Sequence, residues 1–274
     1  MNETAELPAG VDPGRPAPAR IYDYLLSGNN NFQSDRDAAQ RIMALVPEIR
    51  DCAWANRGFH QRAARWIAGR GVTQFIDIGS GLPTVGETHQ VVQRIDPAAR
   101  VVYADIDPMV AAQSAPLLAG APNVTLITAD LRDPDTLLGH PAVRSMIDFS
   151  EPTGLLMTAV LHFVADDKDP WGLLARYVAA LAPGSYLALS HATPDGLPPL
   201  AVHAMVETYA NATEQLVLRP RAEVERFFAG MEMVAPHPGV TDGLTFVGQW
   251  GAVDPASADS DGSRVLYCGV AKCR

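Results

Sequence analysis

Lysine is almost missing from this chain. Only Lys168 and Lys272 occur, within a combined lysine and arginine count of 21. Mechanisms built on a catalytic lysine therefore have few candidates, and neither lysine stands four places after a tyrosine, which excludes a Tyr-xxx-Lys pair. Cysteine is equally sparse: Cys52, Cys268 and Cys273. An odd count with no CxxC spacing excludes a disulfide framework and predicts three reduced thiols. No apolar run reaches the ~18 residues that a membrane helix needs. The first residues, Met1-Asn2-Glu3-Thr4-Ala5-Glu6, are acidic and lack the basic-then-apolar order of a secretion signal. A cytoplasmic location is expected, with no membrane partner. Nor is there an excess of positive charge. The net charge is −10 and the isoelectric point is near 5.1, so no general attraction to phosphate backbones exists and nucleic acid is not an expected partner.

What is present is a large apolar fraction, 47% of 274 residues. That fills the core of one α/β domain with additions. Residues 1–18 are rich in Pro, Gly and Ala and read as a mobile tail. Residues 19–70 read as a helical cap. It holds a short helix over 19–28 stopped by Gly28, a helix over 35–46 capped by Ser34, and a helix over 50–68. The last has apolar positions Trp54, Phe59, Ala63, Trp66 and Ile67. Residues 71–274 form the main domain, with a helical insertion at about 198–230.

From residue 74 onward strands and helices alternate. Strands are expected at 74–78, 100–104, 124–128, 154–160 and 185–190, with helices at 84–95, 108–118, 134–144 and 170–181. Near-continuous apolar strands separated by helices predict a parallel sheet covered on both faces. Later strands are expected at 231–234 and 264–271.

Three strand ends carry the chemistry. Phe75-Ile76-Asp77-Ile78-Gly79-Ser80-Gly81 ends a strand in a glycine turn, where bare backbone lets a ligand approach and the following helix offers free amides. The dinucleotide pattern GxGxxG is incomplete, since Thr84 stands where the third glycine would fall. Asp77 instead suits a ligand with a cationic amine. Asp105 ends the next strand, placed to accept hydrogen bonds from ribose hydroxyls. Asp107, before Pro108, is the competitor for that role and suits a helix cap. Asp130, in Ala129-Asp130-Leu131, ends the third strand and could reach an adenine amine.

These segments, together with Tyr22-Asp23-Tyr24, Asn31-Phe32, Ala159-Val160-Leu161-His162-Phe163 and Ser190-His191-Ala192-Thr193, resemble class I S-adenosylmethionine-dependent methyltransferases. More narrowly, they resemble an actinobacterial S-adenosylmethionine methyltransferase family long described as a domain of unknown function. The resemblance spans about residues 19–193. It implies a Rossmann-like α/β fold with a seven-stranded, mostly parallel sheet and a reversed last strand, and S-adenosylmethionine as cofactor. It implies cofactor contacts from Tyr22, Asn31, Phe32 and Arg36 in the cap, from Asp77, Gly79, Ser80 and Gly81 in the glycine turn, and from Asp105, Ile106, Asp130, Leu131 and Ala159 beyond it. The cap is then read as a lid that excludes water.

His162 and His191 follow the fourth and fifth strands and are the candidates for a general base or substrate ligand. The spacing of His162 with Asp166, Asp167 and Asp169 fits no metal site, and no metal is expected. The reading is a methyltransferase acting on a small molecule, as a monomer or a homodimer. Its rivals are a non-catalytic S-adenosylmethionine sensor and, on the incomplete glycine pattern, a nicotinamide-dependent oxidoreductase.

Overall fold

Five runs of Val, Ile, Leu and Ala supply the strands that pack in parallel: β1 (Gln74–Ile78), β2 (Arg100–Asp105), β3 (Val124–Thr128), β4 (Gly154–Thr158) and β5 (Tyr186–Ala192). All of β1 is buried, as a strand covered on both faces must be. The structure, a computed structural model, describes residues 7–274. A final strand, β8 (Leu266–Lys272), runs antiparallel to β5, and the order is β3-β2-β1-β4-β5-β8-β6. The outer edge of β8 pairs with two strands of two residues each, β6 (Glu232–Met233) and β7 (Thr245–Phe246). The expected seven-position sheet with a reversed strand is therefore present, with its last position split between two short strands.

The chain reverses direction across the sheet between β1 and β4. Open parallel sheets leave a crevice beyond their carboxyl ends at such a switch point. One face of the sheet is covered by three helices of the cap, α1 (Pro18–Leu25), α2 (Gln33–Met43) and α3 (Ile49–Ala68), and by α9 (Pro199–Ala210). The other face is covered by α6 (Pro134–Gly139), α7 (Pro141–Met146), α8 (Pro170–Ala179) and α10 (Arg221–Glu225). Two short helices, α4 (Thr88–Val92) and α5 (Pro108–Leu118), follow β1 and β2. No helix among the described residues is long and apolar enough to cross a membrane.

Several expected boundaries shift for local reasons. Helix 84–95 shrinks to α4 because residues 82–87 form the continuation of the glycine turn. Helix 134–144 becomes two helices, since Pro141 starts a new one after His140. The helix expected from residue 198 ends at Ala210, and Arg221 starts the next after an irregular stretch. Trp54 is 49% exposed instead of packed, because α3 turns Cys52, Ala53, Asn56, Arg57 and His60 inward. Ser34 does not cap α2. The cap position is Phe32, whose N–H is taken by Asp35, while the Ser34 hydroxyl donates to the Pro13 carbonyl at 2.7 Å.

The tail expected over residues 1–18 needs a larger correction. Residues 1–6 lie outside the described residues. Beyond them, Pro16 and Ala17 are buried. Ala17 N–H donates to Asp35 at 2.9 Å, the Pro16 carbonyl accepts from Thr213 N–H at 2.9 Å, and Arg15 donates to the Ala212 carbonyl at 2.8 Å. Long-range partners give this Pro-rich segment contacts that its own composition does not announce. Their anchor is the pair between Arg20 and Asp35, at 3.0 Å and with both side chains at most 2% exposed. Arg20 also reaches Asp107 at the tip of β2, at 3.6 Å, which ties the cap to the sheet edge. Asp35→Ala would leave a buried guanidinium without its partner. It should lower the unfolding free energy by about 3–5 kcal/mol in a urea titration; a loss below about 1 kcal/mol would contradict this anchoring role.

Candidate functional site

A cavity of about 200 Å³ opens at the carboxyl ends of β1, β2, β3 and β4, under the cap. Asp77, Gly79, Ser80, Gly81, Asp105, Ile106, Asp130, Leu131 and Ala159 all line it, with Tyr22 from the cap and His162. The three strand-end carboxylates expected from the sequence thus converge on one space. Gly79 adopts φ +71°, and any side chain there would overlap Val160. Gly81 adopts φ +69° with open space where a Cβ would stand, so bare backbone faces the cavity.

Each carboxylate sits differently. Asp105 accepts Gly81 N–H at 2.8 Å and Asp107 N–H at 2.9 Å, which pins the glycine turn to β2. Burial raises its pKa to about 6, with the backbone hydrogen bonds opposing the rise. Asp107 caps α5 through Met109 N–H, as its spacing suggested. Asp130 is more open and is clamped by Arg132 at 2.8 and 3.0 Å, and Arg132 also holds Glu214 at 2.9 Å. That clamp brings the segment after α9 over the cavity.

Asp77 is 3% exposed. Burial raises its pKa to about 7, and the hydroxyl of Thr88, donating at 2.6 Å, opposes the rise. Behind Thr88 lies His60, with Nε2 at 2.7 Å from the Thr88 hydroxyl and Nδ1 at 2.9 Å from that of Thr158. With Asp77 ionised, Thr88 spends its proton on the carboxylate, so His60 Nε2 donates to Thr88 and Nδ1 accepts from Thr158. Burial pushes the His60 pKa down to about 3, in keeping with a neutral ring.

A second polar chain crosses from the cap to β4. The Tyr22 hydroxyl donates to the Ala53 carbonyl and accepts from Asn56 Nδ2, each at 2.9 Å. Asn56 Oδ1 accepts from the Ser190 hydroxyl at 2.6 Å, and Ser190 Oγ accepts Ala159 N–H at 2.9 Å. Ala159 has φ +54°, a left-handed conformation that costs a non-glycine residue about 1–2 kcal/mol. Strained backbone of this kind gathers at ligand sites.

Two orphaned polar atoms mark one spot. Arg57 is 8% exposed and its Nη2 binds Glu87 at 3.0 Å, but its Nε has no partner; the buried Ser80 hydroxyl has none either. Both residues line the cavity and a smaller recess beside Gly81. Buried donors without partners are costly, and an acceptor group in the cavity would complete these two.

Three expected contacts from the cap are not part of the lining. Asn31 Nδ2 donates to Asp23 at 2.7 Å and to the Gly28 carbonyl at 3.0 Å, and Arg36 donates to the Asn31 side chain at 3.0 Å. Phe32 packs with Leu82, Met109 and Val110, under the Arg20 guanidinium. These residues brace the turn that follows α1, the helix that carries Tyr22.

The two histidines also depart from the expected roles. His191 is fully buried and does not line the cavity. Its Nδ1 donates to the Ala192 carbonyl at 2.8 Å, and its Nε2 accepts from Arg219 at 2.7 Å. It is a locked, neutral structural group. His162 does line the cavity, but its Nδ1 accepts Ala192 N–H at 3.2 Å. Burial, and then Arg219, hold its pKa down to about 3. The neutral ring therefore carries its proton on Nε2 and offers a donor, with no lone pair left to act as a base. Asp166 pairs with Arg219, Asp167 with Lys168, and Asp169 caps α8.

Sequence reasoning missed Asn56, Arg57, His60, Thr88, Arg132 and Glu214. The first three do leave a trace: polar residues within the 53–60 stretch, beside Ala53 and Phe59, on a helix that otherwise buries apolar ones.

A family model described as S-adenosyl methyltransferase matches residues 4–274. The fold resembles the crystal structure of a candidate methyltransferase from Thermobifida fusca, with a TM-score of 0.87 and 38% identity over 97% of this chain and 98% of that one. It resembles equally a DUF574 family protein from Streptomyces avermitilis, with a TM-score of 0.87 and 35% identity over 95% and 98%. At 11% identity, the N-methyltransferase NodS from Bradyrhizobium japonicum shares the fold alone, with a TM-score of 0.50 over 80% of this chain and 96% of that one. No curated protein matches.

The pKa of Asp77 carries a consequence for stability. Its carboxyl holds a proton more tightly in the folded than in the unfolded chain, so the ligand-free protein loses stability as pH rises from about 4 to about 7. Asp77→Asn should therefore raise the unfolding free energy in a urea titration more at pH 8 than at pH 5, the two differing by about 1–3 kcal/mol. An equal effect at both pH values would contradict the burial of an ionisable group there.

Proposed function

The chain belongs to the S-adenosyl methyltransferase family, and from that premise we propose that it binds S-adenosylmethionine in this cavity and transfers the methyl group to a small molecule. The observation that carries the reading is the convergence of Asp77, Asp105 and Asp130 with the bare backbone of Gly81 on one space. Bound there, the cofactor supplies an electrophilic methyl on a sulfonium.

The residues divide its recognition among them. Asp105 accepts hydrogen bonds from ribose hydroxyls while fixing the glycine turn. Ile106 and Leu131 flank the base, and Asp130, held by Arg132, stands at the base's rim. Asp77 faces the ammonium, and the cost of ionising it in a buried site is offset by that positive charge. Arg57 and Ser80 meet the carboxylate with the donors that have no partner inside the protein. The Tyr22–Asn56–Ser190 chain holds Ala159 in place, and closure under the cap removes water. Such a transfer depends more on alignment and exclusion of water than on acid–base groups, which suits a site where His162 is only a donor. Tyr22 brings the cap over this site as its lid.

Calorimetric titrations with S-adenosylmethionine, S-adenosylhomocysteine and NAD, run side by side, test the reading. The first two should bind and NAD should not; binding of NAD alone would overturn it. Asp105→Ala, if folded, should weaken S-adenosylhomocysteine binding by about 1–3 kcal/mol, and an unchanged affinity would reject its ribose role.

A further inference from the structure

The half of the cavity away from the glycine turn has a different character. Its walls are Leu25, Ile42, Ile49, Met205, Leu216 and Phe163, contributed by α1, α2, α3, α9 and the segments beside them. No charged side chain stands among them. The cavity's charged residues are committed elsewhere: Arg57 and Asp77 beside the glycine turn, and Arg132 to Asp130 and Glu214. Tyr22, Asn56, Cys52 and Thr213 also line the cavity, the first two bonded to each other, and two further donors stand beside them. One is His162 Nε2, which carries the ring proton. The other is the hydroxyl of Tyr209, which is 9% exposed and has no hydrogen-bond partner among the described residues. Both belong to one aromatic group: the Phe163 ring lies 4.5 Å from that of His162 and 5.5 Å from that of Tyr209.

We infer that this lobe receives the methyl acceptor, and that the acceptor is a flat, aromatic, largely apolar molecule whose one polar anchor is a hydroxyl or carbonyl oxygen. The inference rests on the adenosylmethionine reading of the neighbouring half. Its physical basis is desolvation. An ionic group carried into this lobe would lose its hydration and find no counter-charge in its walls. An aromatic ring loses nothing and packs against the three rings. Both polar atoms can donate, and neither is a base. The lone pair of His162 Nδ1 is taken by Ala192 N–H. Burial, with Cys52, Asp35 and Tyr22 nearby, pushes the Tyr209 hydroxyl well above its ordinary pKa, so it stays protonated. Two donors can meet the oxygen of a phenol or enol, which gives up its proton to solvent before the cavity closes on it, and the positive sulfonium balances the charge left behind. The resulting oxygen or its conjugated carbon attacks the methyl carbon. The new bond to carbon forms as the carbon–sulfur bond breaks, and the bonding pair remains on sulfur, leaving neutral S-adenosylhomocysteine.

The test uses the full-length protein saturated with S-adenosylhomocysteine, titrated with 2-naphthol and with 6-hydroxy-2-naphthoate. The two probes share ring and hydroxyl and differ by a carboxylate. 2-Naphthol should bind and the naphthoate should bind at least ten-fold more weakly. Tyr209→Phe should weaken 2-naphthol at least three-fold while S-adenosylhomocysteine binding stays unchanged. Equal or tighter binding of the naphthoate, no binding of 2-naphthol to the loaded protein, or an unaltered 2-naphthol affinity in Tyr209→Phe would overturn the inference. If S-adenosylhomocysteine itself fails to bind, the cofactor reading falls and takes this one with it, whereas loading without naphthol binding condemns this one alone.

Discussion

Desolvation of carboxylates at the edge of the sheet is the constraint around which this structure is arranged. Asp77 and Asp105 close two adjacent parallel strands and are 3% and 9% exposed, in a place where ionisation is expensive. The protein compensates in part, with Thr88 behind Asp77 and two backbone amides on Asp105. What these partners leave unmet is a demand for positive charge and for hydroxyl donors from within the cavity. Arg57 and Ser80 create the opposite demand a short way off, for an acceptor. The ligand proposed, with ribose hydroxyls, an ammonium and a carboxylate, would meet all of them at once.

The cap depends on the same edge. Arg20 joins Asp35 in the cap to Asp107 on the sheet, and residues 15 and 16 reach Ala212 and Thr213 after α9. Arg132 closes the circle by holding Glu214. The apolar lobe is thus enclosed by segments far apart in the chain, all held against the tips of the central strands. The two halves of the crevice differ in chemistry: the one beside the glycine turn is rich in paired charge, and the one under the cap is largely apolar.

Much of this was legible in the sequence. The parallel sheet followed from apolar strands alternating with helices, and Asp77, Gly79, Gly81 and Asp105 followed from strand ends that combine glycine with carboxylate. These signals are local, because a strand end and its turn lie within a few residues. Arg57 and His60 were not legible, since a helix shows which residues share a face but not which sheet edge that face meets. The pinned residues 15–17 were hidden for a related reason: their partners, Asp35, Ala212 and Thr213, are remote in sequence. His162 was legible as a residue near the strand ends but its protonation was not, since that depends on one backbone amide, that of Ala192, on the neighbouring strand.

The central claim is that the strand-end aspartates address a single adenosine-bearing ligand with an amino acid tail. A crystal structure of the protein with S-adenosylhomocysteine tests it most directly. The account predicts ribose hydroxyls on the Asp105 carboxylate, the ammonium within hydrogen-bond reach of Asp77, and the carboxylate against Arg57. A ligand lodged elsewhere, or one that leaves Asp77 and Asp105 without contact, would contradict it.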